Sequence, residues 1–442
     1  MTAGLDKDTI AAIATPAGRG AVGIVRISGP GARRILEKIT GDAPPHRQAR
    51  LRAFRARDGT VIDKGLVLYF EGPGSFTGED VAELQGHGGP VVMDMLLAAT
   101  LAEGARIARP GEFSERAFLN GRMDLAQAEA VADLIDSASR AAARSAARSL
   151  QGEFSGRIDA LAEQLVELRV YVEASIDFPE DEVDFLMEGE VASRLDRAIG
   201  ELDRVAAQAR QGVLLTEGVS LVLAGAPNVG KSSLLNRLAG VERAIVTEVP
   251  GTTRDVLSEQ INLDGIPVRL IDTAGLRAST DRVEQEGIRR ARAEIAGADW
   301  VLWVCDAADE PGGPPPDGLP GDRTIIVRNK IDLVPHASRD GDSIAVSALT
   351  GEGVDALKTR LKQTVGYREA EGTFSARRRH LDALARARTH LAGGRDQLRT
   401  HAAGELLAED LRAAHETLGE IVGRMTPDAL LGRIFSSFCI GK

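Results

Sequence analysis

The sequence predicts a multidomain protein of the α/β plus all-α class, with a parallel-sheet α/β domain inserted into a discontinuous helical domain. Its 442 residues exceed what one ordinary core accommodates, so several domains are expected. In the stretch 216–375, runs such as "SLVLAG", "WVLWVCDAAD" and "RTIIVRNKID" alternate with helical segments, which is typical of a parallel sheet with helices on both faces. Helical periodicity on either side predicts one helical domain that this segment interrupts.

The first region, 1–118, is predicted to be an α+β domain. The runs "VGIVRIS" and "GLVLYF" have the length and composition of strands. The stretch from Val91 to Glu103 has helical texture. Short strands mixed with a helix favour an α+β arrangement over an all-helical one.

The helical domain is predicted in two halves, 119–215 and 376–442. In both halves apolar residues recur three or four positions apart, which places them on one face of a helix. They are Leu161, Leu165, Leu168, Val172 and Ile176, then Leu195, Ile199, Leu202 and Val205, and after the insertion Leu381, Leu384, Leu391, Leu398, Leu407, Leu411, Leu418 and Ile421. The two halves are expected to pack together, because insertions are tolerated where the ends of the inserted segment lie close.

Composition predicts a globular protein of the cytoplasm, without membrane attachment. Apolar residues make up 43% of the chain and charged residues 27%, the usual balance of such proteins. No apolar run reaches the length of a membrane span, and the start "MTAGLDKDTI" lacks the pattern of a signal peptide. Two distant cysteines fit a reducing compartment, and the net charge of −11 argues against non-specific coating of nucleic acid.

The string "GAPNVGKSS" has the spacing of a phosphate-binding P-loop between a strand and a helix. Gly225 and Gly230 allow backbone N–H groups to turn towards phosphate oxygens at a helix N-terminus. Lys231 is expected to contact the β- and γ-phosphates, and the Ser232 hydroxyl is expected to bind Mg²⁺. The flanking strand and helix make a simple glycine turn the much weaker interpretation.

The motif "NKID" predicts that the bound base is guanine. Asp332 can accept hydrogen bonds from guanine N1–H and the 2-amino group, and Asn329 can reach the O6 and N7 side of the base. Adenine would leave that carboxylate unpaired, and such mismatches discriminate strongly. "SAL", residues 347–349, fits the backbone contact to guanine O6. GTP is therefore preferred to ATP.

Two further motifs complete the pattern of a GTPase. "DTAG" places Asp272 near Mg²⁺ through a water molecule, and "GTTRD" supplies a switch threonine, for which we select Thr253. A water-positioning glutamine does not follow "DTAG", because Leu276 stands there. Catalysis must come from elsewhere, and Glu284 and Glu286 are equal candidates, with surface carboxylates as the alternative.

These motifs occur together with "SFTGEDVAELQGHGGP", "RPGEFSERAFLNGRMDLAQAEA" and "GRIFSSFCIGK", and with them the whole chain resembles the tRNA-modification GTPase family called MnmE or TrmE. The resemblance implies an N-terminal domain that binds tetrahydrofolate and dimerises, the discontinuous helical domain and the inserted GTPase domain. It implies a homodimer that forms a heterotetramer or larger assembly with an FAD-dependent partner, MnmG. The pair would install an aminomethyl-type group, commonly carboxymethylaminomethyl, at C5 of wobble uridine in tRNA, with the one-carbon unit taken from a 5,10-methylene or 5-formyl tetrahydrofolate.

The resemblance also implies a set of site residues, among which Glu284 becomes the catalytic carboxylate. Potassium would be bound by Asn228, Thr247, Val249 and Thr252, and Mg²⁺ by Ser232 and Thr253. Folate contacts would be Arg26, Glu83, Arg122 and Lys442, although the family commonly has lysine in place of Arg122, whose hydrogen-bond geometry differs. GTP contacts would be Asn228, Val229, Gly230, Lys231, Ser232, Ser233, Thr247, Glu248, Val249, Pro250, Gly251, Thr252, Thr253, Asp272, Thr273, Ala274, Gly275, Asn329, Lys330, Asp332, Ser347, Ala348 and Leu349.

The C-terminal string "LLGRIFSSFCIGK" is predicted to be a functional arm that docks on the protein after the last helix. Its apolar residues would be costly to leave in water. They are Ile434, Phe435, Phe438 and Ile440. Docking would bring Cys439 near the one-carbon unit of the folate, and whether its thiol reacts or only packs stays open.

Two other functions compete with the tRNA-modification interpretation. One is a regulatory switch GTPase, which would have no need of a folate pocket. The other is a ribosome-assembly GTPase, which would be expected to carry a basic RNA-binding domain. The net charge of −11 and the acidic run "DFPEDEVDF" disfavour the second of these.

Overall fold

The computed structural model describes residues 8–177, 190–240, 258–263, 265–272, 295–308, 320–334, 343–367, 372–401, 404–424 and 427–441. The chain divides into two compact units, the first comprising Met1–Ala132, Ile158–Val166 and Arg412–Lys442, and the second Asp133–Arg157 and Glu167–Leu411. Among the helices of the described residues, none is long and apolar enough to cross a lipid bilayer. The bounds of the four predicted segments stay predictions, since compactness alone does not locate them.

The secondary-structure elements follow in chain order. The strands are β1 (Ile10–Ile13), β2 (Gly23–Ser28), β3 (Arg50–Arg55), β4 (Val61–Phe70), β5 (Val81–Gly86), β6 (Arg106–Ile107), β7 (Val219–Ala224), β8 (Ser258–Leu263), β9 (Ile266–Asp272), β10 (Trp300–Asp306), β11 (Thr324–Asn329) and β12 (Ile344–Ala345). The helices are α1 (Ala32–Thr40), α2 (Pro90–Ala102), α3 (Glu112–Leu119), α4 (Leu125–Ile135), α5 (Arg140–Leu150), α6 (Glu153–Asp177), α7 (Glu190–Thr216), α8 (Lys231–Ala239), α9 (Val354–Thr364), α10 (Arg378–His401), α11 (Gly404–Val422) and α12 (Asp428–Ser436).

The first unit contains a six-stranded sheet in the order β3-β4-β5-β2-β1-β6. Its strands pair antiparallel except β1 and β6, which are parallel. On one face, Leu36 of α1 and Leu96 of α2 join a buried core with Val25 of β2. On the other face, Ile10 of β1 packs with Phe113 of α3. This arrangement confirms the α+β prediction for the N-terminal region.

A network of ion pairs centred on the buried side chains of Glu112 and Arg116 holds α3 to the edge of this sheet. Arg106 of β6 donates to both carboxylate oxygens of Glu112, at 2.8 and 2.6 Å, and its Nε donates to Asp8. Arg116, which is almost fully buried, donates to Glu112, Asp8 and Glu79. Each buried charge therefore has partners of opposite sign, as burial of ions requires.

The Glu112 carboxylate in this network predicts that the free energy of unfolding depends on pH. Burial would raise the pKa of Glu112, but hydrogen bonds from Arg106, from the Arg109 N–H and from Arg116 outweigh it and lower that pKa to about 2. A depressed carboxyl pKa adds stability that is present above the unfolded-state pKa and is lost as pH falls through the folded-state value. We expect Glu112 to contribute about 3 kcal/mol to the unfolding free energy at neutral pH, and this contribution to decline between roughly pH 4.5 and 2.

The measurement is the unfolding free energy of the wild type and of Glu112→Gln, from chemical denaturation between neutral pH and roughly pH 2. The difference between the two proteins should shrink as pH falls, because protonation makes the wild-type side chain neutral as well. Glu115→Gln, on the same helix but with a partly exposed carboxylate, serves as the control. The same pH profile for both variants would contradict the prediction.

The second unit contains a sheet in the order β12-β11-β10-β7-β9-β8, in which five strands are parallel. Leu234 of α8 and Leu357 of α9 share a buried core with Leu223 of β7 on one face of it. The predicted fold class is confirmed, with one difference: β8 is antiparallel to β9. The short hairpin between them explains the difference, because a parallel pair needs a long crossover connection.

The sheet of this unit is inserted between two helices that pair with each other. Arg388 of α10 forms an ion pair with Asp203 of α7, with 2.6 Å between Nε and Oδ1. The entry and exit of the inserted segment are also joined, because Arg378 donates from its backbone N–H and its Nε to Glu217. The prediction that a helical domain is interrupted by the α/β segment is thus confirmed.

Candidate functional site

The P-loop connects β7 to α8 and owes its shape to two glycines. Gly225 and Gly230 have φ of 148° and 94°, where a side chain is strained. A Cβ atom on Gly225 would overlap the Val304 carbonyl oxygen, and one on Gly230 would overlap the Asn329 amide nitrogen. Asn228 between them has φ of 60°, which asparagine tolerates better than most residues. The loop therefore has the tight form that phosphate binding requires.

The first turn of α8 has the features of an anion site. Its N-cap is Gly230, which has no side chain to satisfy the first N–H groups of the helix. Lys231 is buried, and its Nζ donates to the carbonyl oxygens of Gly225 at 2.9 Å and Ala226 at 2.7 Å. Ser232 and Ser233 lie exposed on the same turn. The helix N-terminus and the lysine together favour a phosphate group here.

Asn329, at the end of β11, joins the P-loop to the loop that follows β12. Its Nδ2 donates to the Val229 carbonyl and its Oδ1 accepts from the Ala348 N–H, both at 2.9 Å. The side chain is almost completely buried. A carboxamide has two N–H donors and two lone pairs, so one of each remains for contacts beyond these two. The structure thus brings the predicted phosphate and base motifs together through this residue.

The other two polar residues of "NKID" are also held by neighbours. Asp332 is exposed, and its Oδ1 accepts from the Ser347 hydroxyl at 2.5 Å. Lys330, at φ of 68°, directs its Nζ to Asp306 at 2.8 Å. The hydrogen bond from Lys330 and, to a smaller extent, the one from the Ala308 N–H lower the pKa of Asp306 below its ordinary value. Asp332 is therefore oriented at the surface, as a carboxylate that reads a base must be.

Arg237 of α8 contacts residues 348 and 349 of the loop that follows β12, the base loop. Its Nε donates to the Ala348 carbonyl at 2.9 Å, and its Nη2 donates to the Leu349 carbonyl. No sequence signal marks this arginine, because its partners lie more than a hundred positions later in the chain. Leu349 is exposed and Ala348 is buried.

In the first unit, the predicted folate contacts Arg26 and Glu83 form one cross-strand pair. They are register partners on β2 and β5, and Arg26 Nη2 lies 2.9 Å from Glu83 Oε1. The second oxygen of Glu83 accepts from Gln85 at 3.2 Å. The guanidinium of Arg26 lies 5.5 Å from the centre of the Phe76 ring and 5.8 Å from that of Phe113. Hydrogen-bonding groups beside aromatic rings fit a flat heterocycle with polar edges.

Arg122 reaches the loop that contacts Arg26. Its side chain crosses Gly78, where an added Cβ atom would lie 3.2 Å from Arg122 Cγ. Gly78 and Phe76 belong to the same loop between β4 and β5, and Asn120 donates to the Thr77 carbonyl of that loop at 2.7 Å. The structure therefore brings Arg26, Glu83 and Arg122 around one loop.

The C-terminal segment, predicted as an arm after the last helix, itself forms helix α12 over Asp428–Ser436. Ile434 and Phe435 of α12, together with Phe438, are buried in a cluster with Leu125 of α4. The prediction was wrong for Ile440, whose side chain is 54% exposed. Ile440 lies in a turn beyond the end of α12 at Ser436, so it does not share the helix face that carries Ile434 and Phe435.

The tail beyond α12 contacts both α3 and β1. The Cys439 carbonyl accepts from the N–H of Gly111, which precedes α3, at 3.3 Å. Gly441, at φ of 95°, lies so close to Ile13 that a Cβ atom would overlap its carbonyl oxygen. The cysteine itself is exposed. The tail thus lies beside the strand whose neighbour, β2, carries Arg26.

The remaining predicted site residues lie outside the residues whose side chains the structure describes. They are Thr247, Glu248, Val249, Pro250, Gly251, Thr252, Thr253, Asp272, Thr273, Ala274, Gly275, Glu284 and Lys442. Of these, Asp272 has a described backbone and is the last residue of β9. Their assigned roles stay predictions.

Comparison with known proteins finds matches along the whole chain. The family described as "MnmE helical domain" matches residues 125–439, and "GTP-binding protein TrmE N-terminus" matches 9–122. A protein of Stutzerimonas stutzeri (strain A1501), named tRNA modification GTPase MnmE, is 56% identical over 452 residues, which cover 99% of this chain and 99% of the relative. A protein of the same name from Sodalis glossinidius (strain morsitans) is 56% identical, in an alignment that covers 98% of this chain and 99% of the relative. Another from Nitrosococcus oceani is 58% identical, in an alignment that covers 99% of this chain and 97% of the relative.

Proposed function

The chain belongs to the MnmE/TrmE family of tRNA modification GTPases, and from this premise we propose that it uses GTP hydrolysis to install a carboxymethylaminomethyl-type group at C5 of wobble uridine in tRNA. The observation that carries the GTPase part is Asn329, which joins the P-loop to the base loop. Beside it, Asp332 is held at the surface by Ser347, where it can accept from guanine N1–H and the 2-amino group. The protein is thus a GTP hydrolase that takes part in tRNA modification.

The residues around Lys231 fit GTP and Mg²⁺. Lys231 would exchange its two loop carbonyls for phosphate oxygens, and the first turn of α8 would donate backbone N–H groups to them. The Ser232 hydroxyl is exposed beside the lysine and would bind Mg²⁺, with Thr253 as the second protein ligand. Mg²⁺ when bound neutralises charge on the phosphates. The chain's own residues hold and orient the nucleotide.

We propose that hydrolysis also requires K⁺ and Glu284. Leu276 cannot position water, and the exposed side chain of Asn228 at the P-loop could ligate a cation together with Thr247, Val249 and Thr252. Charge stabilisation of this kind contributes several kcal/mol to catalysis. We expect hydrolysis to be at least about 10-fold faster in KCl than in NaCl at matched ionic strength, and equal rates would contradict the potassium requirement.

Glu284→Ala should lower turnover strongly with little loss of nucleotide affinity. Normal turnover by this variant would show that Glu284 is not the catalytic carboxylate.

The N-terminal unit is proposed to bind tetrahydrofolate as a 5,10-methylene or 5-formyl derivative. Arg26 and Glu83 offer polar groups next to two aromatic rings, and Arg122 adds a cation at the same loop. The anionic glutamate tail of a folate would pair with Arg122 and Lys442. Loss of affinity for 5-formyltetrahydrofolate in Arg26→Ala checks this assignment, since unchanged affinity would remove Arg26 from the site.

We further propose that the protein acts in the cytoplasm as a homodimer, whose G domains pair during hydrolysis, with an FAD-dependent partner of the MnmG type. This part rests on the family alone. Light scattering of the purified protein checks the dimer, and a monomer at every concentration would contradict it. Co-purification with the partner, in an assembly of at least two copies of each, checks the complex.

The decisive experiment is mass spectrometry of wobble nucleosides in tRNA from cells that lack this protein. We expect the C5-modified uridines to disappear and to return when the gene is restored. Unchanged C5-modified uridines would favour a regulatory or a ribosome-assembly switch GTPase instead. The same cells expressing Asp332→Asn test whether modification depends on guanine recognition.

A further inference from the structure

The loop of residues 347–352 is held from three sides, and two of the three contacts come from residues of the "NKID" motif. Asp332 accepts from the Ser347 hydroxyl, and Asn329 accepts from the Ala348 N–H. The third contact comes from a different part of the fold, α8, which begins at the phosphate-binding lysine. This third contact is made by Arg237.

Arg237 holds two consecutive carbonyl oxygens of this loop. Its Nε donates to Ala348 at 2.9 Å and its Nη2 donates to Leu349. A planar guanidinium holds such a pair in one relative orientation, which a single point donor cannot do. In a trans peptide the C=O and N–H point in opposite directions, so this contact also sets the direction of the Leu349 N–H. That N–H points away from α8.

Within the described residues, the other hydrogen bonds of the loop do not involve those two carbonyl oxygens. Within the loop, the Thr350 N–H donates to the Ser347 hydroxyl, and the Ser347 N–H donates to the Glu352 carbonyl at 2.9 Å. These bonds close the turn, whereas the carbonyl oxygens of Ala348 and Leu349 are held by Arg237. Leu349 is 76% exposed, so packing of its side chain contributes little to its position.

We propose that Arg237 is a positioning residue for the base: it orients the 347–349 loop so that the Leu349 N–H meets the 6-oxo group of a purine. This rests on the proposed GTPase function and extends it to a residue outside the recognised motifs. The positive guanidinium behind the loop also strengthens the partial positive charge that the loop presents to an oxygen acceptor. Adenine carries a 6-amino donor there, so the same arrangement disfavours adenine.

The test compares the dissociation constants of GDP, IDP and ADP, measured by competition, for the wild type and for Arg237→Ala. IDP keeps the 6-oxo group and lacks the 2-amino group that Asp332 reads. We expect Arg237→Ala to weaken GDP and IDP by the same factor, about 10-fold, which corresponds to about 1.4 kcal/mol, and to change ADP by less than about 2-fold. Turnover of GTP at saturation should stay within about 2-fold.

Two variants separate positioning from a loss of folding. Arg237→Lys keeps the positive charge but replaces the planar fork with a compact ammonium group, so it should recover part of the lost affinity. Arg323→Ala is the matched control, since Arg323 also donates to a backbone carbonyl, that of Ala298, at the opposite end of β11. The control should bind all three nucleotides as the wild type does, and melting temperatures report whether each variant is folded.

The measured dissociation constants test the positioning role of Arg237 and the GTPase assignment separately. An equal loss for GDP and ADP, or no loss for either, would overturn the positioning role while leaving the GTPase assignment intact. A wild-type protein with no preference for GDP over ADP would overturn the proposed function and this inference with it.

Discussion

Lys231→Ala is expected to lower GTP hydrolysis by at least about 100-fold, the largest loss from one substitution in this protein. The buried Nζ donates to Gly225 and Ala226 inside the P-loop, so it is already placed where phosphate oxygens would bind. Alanine removes the point charge and leaves two loop carbonyls without that donor. Affinity for GTP and GDP should fall as well, because the charge acts on the bound nucleotide and on the transition state alike.

The measurement is steady-state phosphate release together with nucleotide binding by calorimetry. Lys358→Ala on α9 is the matched control, because it removes a lysine from the same unit at a partly exposed helical position. The control should hydrolyse GTP at the wild-type rate. If Lys231→Ala also did so, the P-loop would not be the nucleotide site.

Deletion of residues 439–442 is expected to reduce tRNA modification by about 100-fold while GTP hydrolysis stays within about 2-fold of the wild-type rate. The deletion removes the Cys439 carbonyl that accepts from Gly111 and the close contact of Gly441 with Ile13. The contact with Ile13 lies on β1, the strand that pairs with β2, which carries Arg26. Phe438 remains in place, so the buried cluster under α12 should stay intact.

Two point variants show what the tail contributes. Ile440→Ser alters an exposed side chain within the tail and should modify tRNA normally. Cys439→Ser keeps the backbone contact with Gly111 and removes only the thiol, so its activity separates a reactive thiol from a packing role. Affinity for 5-formyltetrahydrofolate should fall in the deletion. Normal modification by the truncated chain would show that the tail only packs.

The parts of the site that follow from local spacing could be predicted from the sequence. The P-loop and "NKID" are short strings whose backbone form depends on residues within them, such as Gly230 at φ of 94° and Lys330 at φ of 68°. The insertion could also be predicted, because the change from strand to helix periodicity is visible along the chain. The parallel sheet was predicted without its antiparallel strand β8, whose direction depends on a hairpin too short for a crossover.

The long-range contacts could not be predicted, for a physical reason. Arg237 meets Ala348 because the strand order β12-β11-β10-β7 places the loop after β12 and the helix after β7 on one sheet, and one sequence does not specify that order. The same holds for the ion pairs that keep Glu112 buried and charged. Ile440 shows the opposite error, because counting apolar residues does not tell where the last helix ends or which of them reach the core.

The pairing of α7 with α10 has a consequence for how the chain is made. The ribosome must translate the entire α/β segment from β7 to α9 before α10 emerges, and at about 5–20 residues per second this takes roughly 10 to 30 s. Throughout that delay the face of α7 that α10 will cover, next to Asp203, faces solvent or other nascent chains. Synthesis therefore passes through a stage in which the inserted domain can be complete while the helices that carry it are not, and the risk of aggregation is concentrated there.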